Sequence, residues 1–333
     1  MKISILDQSP ISEGSTGAVA LRNSIDLAKL GDELGYERYW VAEHHGTPML
    51  ACASPEVLIS AIGAVTKRIR VGSGGVMLPH YSPLKVAENF SILSALYRDR
   101  IDLGIGRAPG TDHTTAIALQ RDRRQVAPDD FPNQLAELIA YLENKMPAGH
   151  PFARLAALPG RPGMPTVWLL GSSPQSAIWA AEAGLPYAFA DFINPDGSEY
   201  ARIYRERFSP SDALAAPRVA VCSFALAAET DEDAQRIASS ARMTRALLND
   251  GRLIPVPPIE KALRFLEERG ANADSAARPR RAIIGTPERV KEGIEKLAEL
   301  YGADEVMILT NTYEHGARRR SYELIARVMG LKR

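Results

Sequence analysis

The chain has 333 residues, which at about 150 residues per domain suggests two domains unless one large barrel takes them all. Forty lysines and arginines balance 40 aspartates and glutamates, so no basic excess is available to neutralise nucleic-acid phosphates. The 45% hydrophobic and 24% charged residues are typical of a globular protein and exclude disorder, collagen and coiled coil. No apolar run approaches the roughly 20 residues of a transmembrane helix. We therefore expect neither a nucleic acid nor a membrane as a partner.

The N-terminal sequence and the cysteines indicate the compartment. Only six residues precede the charged residue Asp7, which leaves no room for the apolar region of a signal peptide. This favours a cytoplasmic protein. Cys52 and Cys222 lie far apart and match neither a disulfide framework nor a zinc spacing. Each is predicted to be a small buried side chain.

Short apolar runs alternate with helical segments along the whole chain, which is the pattern of parallel strands joined by helices. Apolar residues recur at helical spacing between the runs, as in Val86, Phe90 and Leu93. Eight strands are predicted, at Ile3–Leu6, Arg38–Ala42, Ile69–Gly72, Ile101–Ile105, Thr166–Leu170, Tyr187–Ala190, Arg218–Ala225 and Glu305–Leu309.

Helix starts are marked by a serine or threonine followed by proline, because the hydroxyl can cap the helix and proline fits its first position. This pattern predicts helices that begin at Pro55, Pro83, Pro174 and Pro287.

Eight strand-helix units with no linker between halves favour one domain over residues 1–333, an α/β fold of the TIM (β/α)8 barrel type. A minimal barrel needs about 250 residues. We assign the excess to insertions after strands 4 and 7, at about 108–131 and 249–281. Catalytic residues of such barrels lie in the loops after the strands, so those positions are the candidates for chemistry.

Adjacent histidines follow the second strand. Side chains alternate along a strand, so at most one of His44 and His45 faces the barrel mouth while the strand continues. That one could be an acid/base or a hydrogen-bond donor to a ligand, or simply a structural histidine bonded to backbone. Metal binding is a weaker reading, because no histidine pair has ligand spacing.

Three glycines, Gly72, Gly74 and Gly75, follow the third strand. Without side chains, the backbone there can be approached by something flat or bulky, although a β-bulge explains the pattern equally well. The spacing is not that of a dinucleotide fingerprint.

An anion site is predicted from the next two strand ends. Arg107 follows the fourth strand and could bind a phosphate or carboxylate, with a surface arginine as the alternative. Gly171, Ser172 and Ser173 follow the fifth strand and open a helix whose free N–H groups favour an anion. Ordinary capping accounts for Ser173 without a ligand.

Taken together, four motifs resemble the bacterial luciferase-like flavin monooxygenases over nearly the full length. The motifs are Tyr39 to His45, Val71 to Pro79, Gly104 to Arg107 and Pro165 to Ser173, with Gly285 to Glu288 opening the last helical section. In detail the chain is similar to a single-chain branch marked by Leu6 to Pro10, Gly72 to Pro83, Gly106 to Gly110 and Leu169 to Ser173.

The resemblance implies a TIM barrel that binds FMN at its C-terminal mouth as a reduced co-substrate, with a non-proline cis peptide at Gly74–Gly75 beneath the ring. It implies phosphate contacts from Arg107 and Ser172, with Gly171 and Ser173 in the same cofactor turn. It assigns His44 as the active-site histidine and Glu43 as a carboxylate beside the flavin.

The chain also departs from the luciferases. Gly106 stands where the light-emitting subunit has a reactive cysteine, and Gly171 replaces a glutamate, so light emission is not expected. The proline-rich stretch at 251–281 lies where the family has a mobile loop, which predicts a lid.

The leading functional hypothesis is a monooxygenase in which reduced FMN and O₂ form a C4a-hydroperoxyflavin that oxygenates an aldehyde, ketone or alkane-like substrate. A second is hydride transfer with F420 or flavin on the same fold. A third is a flavin-binding or storage protein without turnover, and a fourth is a metal-dependent barrel hydrolase. The resemblance also suggests a separate NAD(P)H:flavin reductase and a homodimer formed through the helices after strands two and three.

Overall fold

The fold was analysed in a computed structural model that describes residues 1–108, 110–120, 123, 130–155, 163–270 and 282–332. Nine strands lie within these ranges: β1 (Lys2–Asp7), β2 (Arg38–Val41), β3 (Arg70–Met77), β4 (Ile101–Gly106), β5 (Thr166–Gly171), β6 (Tyr187–Ala190), β7 (Val219–Ala227), β8 (Ala282–Gly285) and β9 (Glu305–Leu309).

The helices follow the strands along the chain. The described ranges contain α1 (Gly17–Leu34), α2 (Pro55–Val65), α3 (Pro83–Leu96), α4 (His113–Leu119), α5 (Phe131–Glu143), α6 (Pro174–Glu182), α7 (Ser198–Arg207), α8 (Asp231–Asn249), α9 (Ile259–Arg269), α10 (Pro287–Tyr301) and α11 (His315–Val328), with a short 3-10 helix at Leu78–His80. No described helix combines the length and the apolar character needed to cross a bilayer.

Eight parallel strands close into a barrel, which confirms the predicted TIM-barrel fold. The strands β1 to β7 pair in sequence order, and β9 pairs with both β7 and β1 to complete the circle. The ninth strand, β8, was missed by the sequence analysis. It pairs with the far half of β7, from Phe224 to Ala227, beyond the part that β9 uses.

The structure describes parts of both predicted insertions. Within 108–131 the structure describes α4 and the start of α5, while 109, 121–122 and 124–129 lie outside the described residues. Within 249–281 it describes α9, and 271–281 lie outside the described residues.

Helix starts agree with the sequence prediction at all four prolines, Pro55, Pro83, Pro174 and Pro287. Only two of the preceding hydroxyls make a capping bond: the side chains of Ser173 and Thr286 accept hydrogen bonds from backbone N–H groups three residues on. At the other two helices the proline alone marks the start.

The N-terminal end of the barrel is filled by charged residues. Arg38 is 2% exposed, and its guanidinium donates to Asp102 at 2.7 Å and to Glu305 at 2.9 Å. The same guanidinium lies 5.0 Å from the centre of the Trp168 ring. Because these groups pair with one another, the buried charges are compensated.

The middle of the barrel is apolar. Two tryptophans, Trp40 and Trp168, meet edge to face with ring centres 5.4 Å apart, and Met307 and Leu309 from β9 pack in the same cluster. Charged residues thus fill one end of the barrel, and the cavities described below lie at the other, where the strands have their C-terminal ends.

Candidate active site

A cavity of about 770 Å³ lies at the C-terminal ends of the strands, within the usual size of a small-molecule site. The structure brings the six predicted cofactor residues to its wall: Gly74, Gly75, Arg107, Gly171, Ser172 and Ser173. Their role in binding stays a prediction. Trp40, Leu170 and Met307 form apolar parts of the same wall. We call this space the first cavity.

One end of the first cavity is suited to an anion. Arg107 projects from the end of β4 and stacks on Trp179, with the guanidinium carbon 5.4 Å from the ring centre. Beside it, α6 begins at Pro174 with a capping box between Ser173 and Ser176. A fixed cation next to a helix N-terminus is an arrangement that favours phosphate.

Two glycines of β3, Gly74 and Gly75, contribute only backbone to the cavity wall. The peptide between Gly74 and Gly75 is cis. A Cβ on Gly74 would lie 2.6 Å from Leu6 Cδ1, and one on Gly75 would lie 2.8 Å from the carbonyl oxygen of Gly104. The backbone of β4 therefore excludes a side chain at Gly75, whereas a side chain at Gly74 would require the Leu6 side chain to move. The pairing register with β4 shifts at this point, which agrees with the bulge that the sequence left open.

A buried amide on α5 adds a polar group to the first cavity. Gln134 lines the wall, and its Oε1 is buried without a hydrogen-bond partner among the described residues. An unpaired buried acceptor is unfavourable. A ligand that offers an N–H or O–H donor would satisfy it.

A second cavity of about 520 Å³ adjoins the first. Phe192 and Ile193 line both. His44 and His45 both line the second cavity, although alternation along a strand allowed only one of them. The reason is that β2 ends at Val41, before the pair, so the alternation no longer applies.

His44 is held neutral. Burial, with a smaller effect from neighbouring His45, lowers the pKa of its imidazole to about 4. Its Nδ1 is buried without a partner among the described residues, while its backbone N–H donates to the carbonyl oxygen of Cys52 at 2.9 Å. At neutral pH such an imidazole accepts a hydrogen bond through its unprotonated nitrogen and takes up a proton only transiently.

Glu43 is fully buried and lines neither cavity. Its Oε1 accepts hydrogen bonds from His45 Nε2 at 2.6 Å and from the Tyr81 hydroxyl at 2.9 Å, and its Oε2 accepts from the backbone N–H of Met77 at 3.0 Å. The carboxylate thus ties the end of β2 to the end of β3. Burial and the charge of Glu43 raise the pKa of Tyr81, so this hydroxyl remains a donor.

The partners of Glu43 connect the two cavities. His45 meets His80 edge to face, with ring centres 5.8 Å apart, and His80 lines the first cavity. Sequence reasoning singled out neither His80 nor Tyr81, although both lie in the Gly72 to Pro83 motif. The motif was matched as a whole, so the tyrosine's contact with a glutamate 38 positions earlier was not apparent.

Part of the proline-rich stretch borders the second cavity. Gly251, Leu253 and Val256 line it. The backbone N–H of Val256 donates to the Ile11 carbonyl oxygen at 2.8 Å, and the Val256 carbonyl accepts from Glu13 at 2.8 Å. These bonds hold the segment against the loop after β1. The lid stays a prediction, and its remaining part at 271–281 lies outside the described residues.

Both cysteines are buried and free, as predicted. Burial raises the pKa of Cys52 to about 12 and raises that of Cys222, which lines the first cavity, well above its usual value. Neither thiol is activated as a nucleophile. Among the described residues no three histidine, cysteine, aspartate or glutamate side chains are grouped to hold a metal.

Comparison with known proteins assigns the chain to a family. The model of the luciferase-like monooxygenases matches residues 1–304. The chain belongs to this family. It is 39% identical over 326 residues to a luciferase-like monooxygenase of Escherichia coli strain K12, covering 96% of this chain and 95% of the relative. It is 38% identical over 329 residues to the N-acetyl-S-alkylcysteine monooxygenase of Bacillus subtilis strain 168, covering 98% and 97%.

Solved structures share the fold of this luciferase-like chain. The crystal structure of apo-MsnO8 matches with a TM-score of 0.91 and 42% identity over 99% of both chains. Two more distant ones carry cofactors. The oxygenating constituent of 3,6-diketocamphane monooxygenase from Pseudomonas putida, in complex with FMN, has a TM-score of 0.73 at 20% identity over 98% and 96% of the two chains. An F420-dependent secondary alcohol dehydrogenase, holding an F420-acetone adduct, has 0.64 at 14% over 98% of both. Proteins of this fold thus bind flavin-type cofactors.

Stability should depend on the titration of His44. Below about pH 6.5 the unfolded chain takes up a proton at this histidine, whereas the folded protein does so only near pH 4. The His44 contribution therefore lowers the free energy of unfolding as pH falls through this range. Between pH 7 and pH 4.5 the free energy of unfolding of both proteins should fall. We expect the decrease in His44→Gln to be about 2 to 3 kcal/mol smaller than in the wild type, measured by urea unfolding. The exposed His113→Gln is the control and should follow the wild type. Equal losses in His44→Gln and wild type would contradict a neutral His44.

Proposed function

We propose that this protein is an FMN-dependent monooxygenase that uses reduced FMN and O₂ to oxygenate a small organic substrate such as an aldehyde, ketone or alkane. The observation that carries the proposal is the pair of adjoining cavities. One has an anion-binding end and a wall of bare backbone, and the other contains a neutral histidine. Because Phe192 and Ile193 line both cavities, a cofactor in the first would lie next to a substrate in the second.

The residues of the first cavity fit FMN. Arg107 and the N-terminal turn of α6, with Gly171, Ser172 and Ser173, would bind the phosphate, because a guanidinium and free N–H groups complement its charge. Gly74 and Gly75 would let the flat ring approach the backbone. The unpaired Oε1 of Gln134 would accept a hydrogen bond from one of the donors of FMN.

Bound reduced FMN would supply the activation of O₂, which protein side chains do not provide. The chain's own contribution is to exclude water and to manage protons. Apolar walls such as Leu170 and Met307 would help to exclude water around a bound cofactor. His44 would accept or donate a proton, or a hydrogen bond, at the reacting oxygen. Glu43 would act as a positioning residue, because it holds His45, Tyr81 and the Met77 N–H without reaching either cavity.

A separate NAD(P)H:flavin reductase would supply the reduced FMN. The Bacillus subtilis relative, an N-acetyl-S-alkylcysteine monooxygenase, adds thioethers to the substrates that should be tested. The F420-dependent dehydrogenase of the same fold is the basis of the alternative, an oxygen-independent hydride transfer.

We further propose a homodimer formed through α2 and α3. Large apolar side chains are exposed on these two neighbouring helices: Val57 by 68%, Leu96 by 61% and Ile92 by 46%. Exposed apolar side chains on neighbouring helices are a feature that an interface would cover.

The oxygenase reaction can be tested by isotope labelling. The protein is supplied with FMN, a flavin reductase, NADH and a panel of aldehydes, ketones, alkanes and thioethers under ¹⁸O₂. We expect one ¹⁸O atom in the product, detected by mass spectrometry. His44→Gln should form product about 100-fold more slowly and release more H₂O₂, whereas the exposed His113→Gln should match the wild type. Turnover with reduced F420 in the absence of O₂ would favour the reductase alternative, and FMN binding without any product would favour a flavin-storage protein.

The phosphate site can be tested by comparing two flavins. In Arg107→Met we expect the dissociation constant of FMN to rise about 10- to 150-fold, because a hydrogen bond to a charged group is lost. Riboflavin has no phosphate, so its dissociation constant should not change. Quenching of flavin fluorescence measures both. The exposed Arg202→Met on α7 serves as the control variant, and an equal loss for both flavins in Arg107→Met would argue against phosphate binding by this residue.

The dimer can be tested by sedimentation velocity. The wild type should sediment as a dimer, and the double variant Val57→Glu, Leu96→Glu should sediment as a monomer, because charges placed in an apolar interface are strongly unfavourable. Leu300→Glu changes a leucine on α10 that is 48% exposed and should remain dimeric. A monomeric wild type would refute the proposed interface.

A further inference from the structure

The second cavity contains an amide pair that the proposed reaction leaves without a role. The Nδ2 group of Asn311 donates to Gln8 Oε1 at 3.0 Å, and both side chains line the cavity. Gln8 follows β1 and Asn311 follows β9, two strands that lie side by side in the barrel. The pair therefore sits at the C-terminal end of the barrel, where ligands bind.

The orientation of Asn311 follows from its neighbours. Leu309, the last residue of β9, and Asn311 both line the cavity, while the hydroxyl of the intervening Thr310 donates to the carbonyl oxygen of Ala225. One N–H of the Asn311 NH₂ group donates to Gln8, and the carbonyl oxygen lies on the other branch of the amide. Asn311 Oδ1 is buried and has no hydrogen-bond partner among the described residues.

No described group donates a hydrogen bond to this oxygen. His44 lines the same cavity, and its Nδ1 is likewise buried without a partner among the described residues. Most of the remaining wall is apolar, with Met49, Leu248 and Leu253 among its members. A buried acceptor with no donor is unfavourable, and a site built around such a group discriminates strongly in favour of ligands that supply the missing partner.

We propose that Asn311 is a specificity-determining residue that accepts a hydrogen bond from the substrate. This narrows the proposed substrates to apolar molecules that also carry an N–H or O–H donor, such as a secondary amide or an alcohol, and disfavours a plain aldehyde, ketone or alkane. The inference rests on the proposed function in one respect only, that the second cavity is where the substrate binds.

The test uses two amides that differ in a single donor. N-hexylacetamide has an N–H group, and N-hexyl-N-methylacetamide does not. Binding of each to the FMN-loaded protein is measured by isothermal titration calorimetry. We expect the secondary amide to bind about tenfold or more tightly. Asn311→Leu should remove this preference, because leucine keeps a similar volume but has no acceptor. Ser94→Ala removes another buried, unpartnered polar group that lines neither cavity, and it should keep the preference.

The outcomes separate this inference from the proposed function. Equal affinities in the wild type, tighter binding of the N-methyl amide, or no binding of the secondary amide would overturn the role of Asn311. A preference that persists in Asn311→Leu would overturn it as well, because the N-methyl group would then be rejected by its size. FMN affinity is measured for every variant. If the wild type does not bind FMN, the cofactor site is refuted. If it binds FMN but does not distinguish the two amides, only the present inference is refuted.

Discussion

The pairing of Arg38 with Asp102 and Glu305 is the constraint on which the barrel depends. The three residues come from β2, β4 and β9, and no two of these strands are neighbours. The guanidinium therefore links strands across the barrel rather than along its wall. Burial of a charge is unfavourable unless it is paired and hydrogen-bonded, so the cluster is stable only when all three strands are in register. One end of the barrel is thereby closed.

The closed end also supports the floor of the first cavity. Trp40 lines that cavity and donates its Nε1–H to Asp102 Oδ2 at 3.1 Å. The same carboxylate oxygen accepts from Arg38. One aspartate thus joins the ion cluster to the cavity wall across the apolar middle of the barrel. The proposed cofactor site thus lies above Trp40, which the ion cluster holds through Asp102, and beside the bare backbone of Gly74 and Gly75.

Periodicity and turn residues were enough to predict the barrel from the sequence. Buried strands such as Tyr187–Ala190 and Glu305–Leu309 were placed at their observed bounds, because an apolar run flanked by turn residues has few alternatives. The strand β3 runs on to Met77 rather than ending at Gly72, since glycine has no side chain to indicate which face it occupies. The four-residue strand β8 was missed because it is short and pairs only with the far half of β7, outside the closed ring of eight strands that the sequence pattern predicts.

The candidate site was predicted only in part, for a reason of distance along the chain. Residues at strand ends, such as Arg107 and Ser172, could be listed because each follows an apolar run. The partners that fix the site could not. Gln8 and Asn311 are separated by 303 positions, and only closure of the barrel brings them together. The unpaired state of the Asn311 oxygen is a property of its surroundings in space, which no local pattern contains.

The wall formed by Phe192 and Ile193 limits how such a protein can diversify. Both residues border both cavities, so enlarging either side chain reshapes both cavities at once. Under the proposed function, a change there that suits a new substrate must also leave room for the cofactor. Substrate range can vary independently only through walls that belong to the second cavity alone, such as Leu50, Leu248 and Leu253. Residues of the second cavity alone can therefore change independently, whereas the shared residues Phe192 and Ile193 cannot.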